Sequence, residues 1–158
     1  LVLQSRPSIV ASGNELLVLP PPAGRIACDA QKLKRVVAGL LSNAAKFTSN
    51  GSITLSASIR GDSWVVSIED TGVGIAPGRM ASLFETFGRS EDETTSKYGD
   101  EARLGLPLAH RYCQLMGGTL SVQSEPGLGS TVVVTLPRSS RGVEERTYAR
   151  MELQRQAA

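Results

Sequence analysis

The order helix, hairpin, long loop, helix, hairpin predicts an α+β fold: a two-layer α/β sandwich whose mixed, mostly antiparallel sheet carries its helices on one face. Three observations carry that expectation. Apolar residues recur at helical spacing from Leu33 to Phe47 and again from Leu108 to Met116. Residues 51–60 alternate and turn at Gly61-Asp62 into a second alternating segment that ends at Asp70, the pattern of a hairpin. Residues 119–125 and 131–136 repeat that arrangement around Pro126-Gly127-Leu128-Gly129.

In chain order, residues 8–12 and 15–19, parted by Gly13-Asn14, read as two short strands or an irregular hairpin, and residues 25–28 as a further extended piece. Asp29 is the expected N-cap of a helix running to about Phe47. Leu33, Val36, Val37, Leu40, Leu41, Ala44 and Phe47 form its apolar face. Arg35, Gly39, Asn43 and Lys46 fall together on a second, polar face. On it an amide oxygen suits a hard cation and an ammonium suits a phosphate, although an ordinary solvated face has the same composition.

The segment Glu69-Asp70-Thr71-Gly72-Val73-Gly74-Ile75 is the centre of the reading. Asp70 shares the parity of Trp64, Val66 and Ile68, so its carboxylate is expected to point inward, where it needs donors. Gly72 and Gly74 let the backbone turn tightly and approach a flat ligand; a plain β-turn capped by Asp70 is the alternative. Residues 76–78 read as a turn and residues 79–84 as a short helix. Residues 85–103 lack apolar periodicity and hold six acids, which suits a lid over a site or a disordered loop. The second long helix is expected to start at Leu104-Gly105-Leu106-Pro107, with Pro107 in its first turn and Gly117-Gly118 as its stop. His110, the only histidine, projects away from the apolar face and is read as solvated.

Composition bounds the function. The 158 residues are 41% hydrophobic and 20% charged, which suits one domain with its own core, expected over residues 1–137. The net charge of +2 lies wholly in an Arg-rich tail or linker, residues 138–158. The neutral body carries no basic stripe for nucleic acid. No apolar run reaches the length of a bilayer span, so this domain is expected to make no direct membrane contact. Cys28 and Cys113 have neither disulfide nor metal-ligand spacing and point to a reducing, cytoplasmic setting. The chain opens on Leu1, which suggests an excised piece of a longer protein that a membrane can still anchor.

Five motifs in order carry a resemblance. Residues 40–48, Leu-Leu-Ser-Asn-Ala-Ala-Lys-Phe-Thr, resemble the N box of sensor histidine kinases, and residues 70–75 resemble their first glycine box. Residues 83–87, Leu-Phe-Glu-Thr-Phe, resemble the F box. Leu104-Gly105-Leu106 and then residues 127–131 resemble the later glycine boxes. The chain is thereby identified as similar to the GHKL ATPases, whose ATP-binding sandwich is the Bergerat fold, and most of all to the catalytic domain of a two-component histidine kinase.

The resemblance implies ATP and Mg²⁺ as cofactors. Asp70 would accept the adenine amine, helped by water and by the Thr71 and Thr131 hydroxyls, over Gly72, Gly74 and Ile75. Asn43 would hold Mg²⁺ and Lys46 would meet phosphate. Phe87, Arg103, Leu104, Gly105 and Leu106 would complete the nucleotide site. The γ-phosphoryl group would pass to a histidine on a separate dimerisation domain, since no acceptor motif surrounds His110. A response regulator or receiver domain would follow, and the whole protein would be a homodimer. Two departures stand out: Gly39 where the family carries a polar residue, and Arg103 where it carries a glycine. They leave open a degenerate domain that serves as a regulatory or protein-binding module with weak or no ATP binding.

Overall fold

The computed structural model of the chain describes residues 6, 9–80, 82–84 and 101–138, with backbone alone for residues 101–104. Five strands form one sheet: β1 (Glu15–Val18), β2 (Ser52–Arg60), β3 (Ser63–Asp70), β4 (Thr119–Glu125) and β5 (Gly129–Pro137), in the order β1-β2-β3-β5-β4. The β1–β2 pair is parallel and the other three pairs are antiparallel, so the sheet is mixed as expected and β3 is its middle strand. Two long helices, α1 (Ala30–Phe47) and α3 (Glu101–Leu115), cover one face, and a single turn, α2 (Pro77–Met80), follows β3.

Register explains why only one face is covered. Ile53, Ile68, Leu120, Val134 and Leu136 are all buried in the core and all share the parity of Asp70 across the sheet. They meet Val36, Val37, Leu40, Leu41, Ala44 and Ala45 of α1, and Ala109, Cys113 and Met116 beside α3. The opposite face is mostly Ser and Thr. Asp29 caps α1 as expected, its Oδ1 accepting from the N–H groups of Gln31 (2.9 Å) and Lys32 (3.0 Å), while its other oxygen pairs with the Lys32 ammonium.

Several expectations need correction. Residues 9–11 are helical, not a strand. Gly13, at φ +72°, ends that turn by donating to Val10 O, and Asn14 N–H reaches back to Ile9 O, the paired bonds of a Schellman stop. The same arrangement at Gly117 and Gly118 stops α3. Residues 25–28 are irregular rather than extended: Arg25 O accepts from Trp64 Nε1 (3.2 Å) and Ala27 N–H bonds to Arg138 O (3.3 Å), so the segment is laced onto the sheet end without joining it.

Phe47, the last residue of α1, is 42% exposed although it follows the apolar periodicity. The short helix begins at Pro77, not Arg79. The helix α3 takes in residues 101–103, which the sequence assigned to the loop, and Pro107 therefore lies inside it, withholding one N–H from the ladder. His110 is half-buried rather than solvated and stacks on Phe84 with ring centroids 4.7 Å apart. The expected lid over residues 85–100, Phe87 with it, and the tail beyond Arg138 lie outside the described residues. Among the described residues, no helix is long and apolar enough to cross a membrane.

Candidate functional site

Asp70 is the last residue of β3 and is 8% exposed. The reason is strand parity: Asp70 lies four residues after Val66 and two after Ile68, both of which face the core, so its side chain turns the same way. Its Oδ1 accepts from Gly72 N–H at 2.9 Å and lies 3.4 Å from the Thr48 hydroxyl. Burial raises the carboxyl above its ordinary value. The N–H groups of Gly72 and Ser130 and the Thr48 hydroxyl pull it down, and Glu69 adds a smaller repulsion.

The backbone after Asp70 is clamped from both sides. Val73 N–H donates to Phe47 O (3.1 Å) at the end of α1, and Ile75 N–H donates to Ser124 Oγ (2.8 Å). The Ser124 hydroxyl also reaches Gly129 O (2.9 Å) and Ser130 Oγ (2.9 Å), while Gly127 N–H bonds to Val73 O (2.9 Å). This crowding requires Gly72: a Cβ there would fall 2.3 Å from Phe47 O. Gly74, at φ +67°, approaches Glu125 O as closely, with a Cβ position only 2.0 Å away.

The second wall is where α1 meets α3. Asn43 is half-buried and its amide faces Gly105, where a Cβ would lie 3.0 Å from Nδ2. Gly39 sits one turn earlier on α1 and also faces Gly105, with its Cβ position 3.8 Å from Gly105 O. Arg35, a further turn back, donates from Nη1 to Tyr112 Oη (3.0 Å). The polar stripe read from the sequence is thus largely the α1–α3 contact surface. Lys46 is half-buried on the last turn of α1.

Asp70 and Gly72 lie against Phe47 and Thr48 at the C-terminal end of α1, the end that also carries Asn43 and Lys46, with Gly105 and the half-buried Leu106 coming from α3; Gly74 and Ile75 lie against Glu125 and Ser124. The backbone of Arg103 and Leu104 lies in α3 at the same end. Two proposed helpers of Asp70 are not where they were expected. Thr131 pairs with Glu69, so its side chain stands on the opposite face; Ser130 is the residue across from Asp70. Thr71 is exposed, its hydroxyl accepting from Ser52 N–H (3.0 Å).

Thr48 takes the place assigned to them. It is the C-cap of α1, only 2% exposed, and belongs to the N box, whose sequence alone does not show that its hydroxyl faces Asp70. Among the described residues there is no cluster of three or more His, Cys, Asp or Glu suited to a metal.

The class that this fold and site define is the two-layer sandwich of histidine kinase catalytic domains, with its floor at the mouth of the middle strand. Residues 28–140 match the family described as Histidine kinase-, DNA gyrase B-, and HSP90-like ATPase, and the chain belongs to that family. It is 38% identical over 109 residues to the sensor protein TorS of Escherichia coli, which covers 69% of this chain and 11% of TorS. Among solved structures, full-length ShkA in complex with AMPPNP superposes at a TM-score of 0.70 with 33% identity, covering 85% of this chain and 27% of ShkA. The catalytic domain of histidine kinase ThkA gives a TM-score of 0.73 over 89% of both chains at 19% identity, a likeness of fold. The chain spans between about a twentieth and a quarter of the length of the curated relatives that it matches.

Proposed function

We propose that this chain binds Mg-ATP as the catalytic domain of a histidine kinase and passes the γ-phosphoryl group to a histidine supplied by another domain of the full protein. The observation that carries the reading is the buried Asp70 carboxylate, held by Gly72 N–H and Thr48 at the foot of a backbone too crowded for a Cβ at residue 72. A carboxylate so placed accepts from an amine lying on the glycines, and a purine's exocyclic nitrogen is such a donor.

Asn43 lies five residues before Thr48 on α1, roughly 7 Å along the helix axis, which is a fitting span from a base to its phosphates. The site suits Mg²⁺, which needs only one or two protein ligands when phosphate oxygens and water supply the rest. When bound, Mg²⁺ would neutralise phosphate charge. Asn43 would offer its amide oxygen, Lys46 its charge, and the α3 end at Gly105 its close backbone. The chain itself then positions and neutralises, and the acceptor is brought by a dimerisation domain. A receiver domain or response regulator takes the phosphoryl group onward in a cytoplasmic relay, and the full protein is a homodimer.

The test joins this chain to the histidine-bearing dimerisation domain of its own protein and supplies ATP labelled at the γ-phosphate. Acid-labile label on that domain, lost with Asp70→Asn, supports the reading. Absence of label together with absence of Mg-ATP binding by calorimetry overturns it.

A further inference from the structure

We propose that Asn14 is a positioning residue for the purine end of the site, acting on Asp70 through Thr48 and Gly51. The proposal rests on the nucleotide reading above, and Asn14 lies outside residues 28–140, the part of the chain that matches the family. Its side chain is 4% exposed and fully engaged. Nδ2 donates to Thr48 O (2.8 Å) and, more loosely, to Ala45 O (3.4 Å), while Oδ1 accepts from Gly51 N–H (3.0 Å).

Those partners flank the residue whose hydroxyl reaches Asp70. A strand start alone would not need them, since Glu15 N–H already bonds to Gly51 O (2.9 Å) and opens the parallel β1–β2 pair. Gly51 is wedged so tightly that a Cβ would lie 2.5 Å from Thr71 Oγ1 and 2.6 Å from Thr48 Cγ2. The Gly51 backbone thus sits against both the Thr48 and the Thr71 side chains, with no room for a side chain of its own. The chain from Asn14 to Asp70 is short: amide to Thr48 carbonyl and Gly51 N–H, then Thr48 hydroxyl to Asp70 Oδ1 at 3.4 Å. Without the amide the helix end and the 48–51 turn lose their common anchor, and the hydroxyl drifts off the acid.

The experiment compares Asn14→Ala, Asn14→Ser, Thr48→Val and the Asn14→Ala/Thr48→Val pair in the whole 158-residue chain. Calorimetry measures Mg-ATP and a purine riboside triphosphate that lacks the exocyclic amine, and the carboxyl ¹³C shift of Asp70 is titrated without nucleotide. The expected result for Asn14→Ala is about fivefold weaker ATP binding, the size of one neutral hydrogen bond. Binding of the amine-less analogue should change less than twofold, the Asp70 titration should move upward, and adding Thr48→Val should cost little more. Asn14→Ser carries the same expectations if the alanine variant does not fold. An equal loss for both nucleotides, or an Asp70 titration that stays put, overturns the proposal and leaves Asn14 a staple. If the unaltered chain binds no adenine nucleotide, the nucleotide reading fails, and the Asp70 titration alone still decides whether Asn14 governs that acid.

Discussion

Gly105 of α3 lies so close to Asn43 of α1 that a methyl group on it would come within 3.1 Å of both polar atoms of the amide. A side-chain end can turn away where a backbone could not, so Gly105→Ala should leave folding nearly intact and turn the amide. On the proposed reading, Mg-ATP affinity falls about tenfold while binding of nucleotide in the presence of a chelator changes little. Calorimetry with and without Mg²⁺ checks this, and an equal loss in both conditions would refute it.

Asp70→Asn removes the charge from the acceptor and puts an amide N–H₂ where Ser130 N–H also donates. Hydrogen bonds to a charged group contribute about 1.5–3 kcal/mol, so ATP binding should weaken tenfold or more. An affinity within twofold of the unaltered chain would show that the acid does not meet the base.

The pH dependence follows from the raised Asp70 carboxyl. A folded value above the unfolded one means that the folded protein holds the extra proton. Asp70's contribution to stability is therefore complete below the unfolded value and lost as pH rises through the folded one. Urea titrations of the unaltered chain and Asp70→Asn should show the unaltered chain losing ground as pH rises across that window. Nucleotide binding runs the other way: it needs the carboxylate, and should fade on acidification at a pH above that of an ordinary aspartate.

At the other end of α1, Asp29→Ala removes two side-chain bonds to the first turn and the pairing with Lys32. The expected loss is a few degrees in Tm, as for removal of an exposed helix N-cap. Because Asp29 is far along the helix from Thr48, ATP affinity measured well below Tm should not change.

What the sequence revealed and what it hid divide along one line. The cap at Asp29, the two hairpins and the inward turn of Asp70 are all properties of segments of fewer than 20 residues, where period and turn chemistry decide. Ile9 and Val10 look like strand residues because β-branching favours strands; burial of Ile9 and the stop at Gly13 reverse that preference. Only the register of β5 against β3 shows that Ser130, and not its neighbour Thr131, lies across from the acid. Asn14 carries no local signal, and Thr48, though inside the N box, none that points to Asp70. Their partners lie 22 to 37 residues away, and their importance exists only once α1, β1 and β3 are assembled.

The sheet order has one last consequence. β3 is hydrogen-bonded along its length on both edges, so the acid at its tip is mounted on a doubly protected strand, where amide exchange should be slow. Asn43, Lys46 and Gly105 stand instead on two helices held to each other by side-chain packing and the Arg35–Tyr112 hydrogen bond, with no strand ladder between them. The ligand would thus meet a rigid socket for its ring and an adjustable grip for its charged end, so that identity is checked by stiff parts and reactivity is set by movable ones.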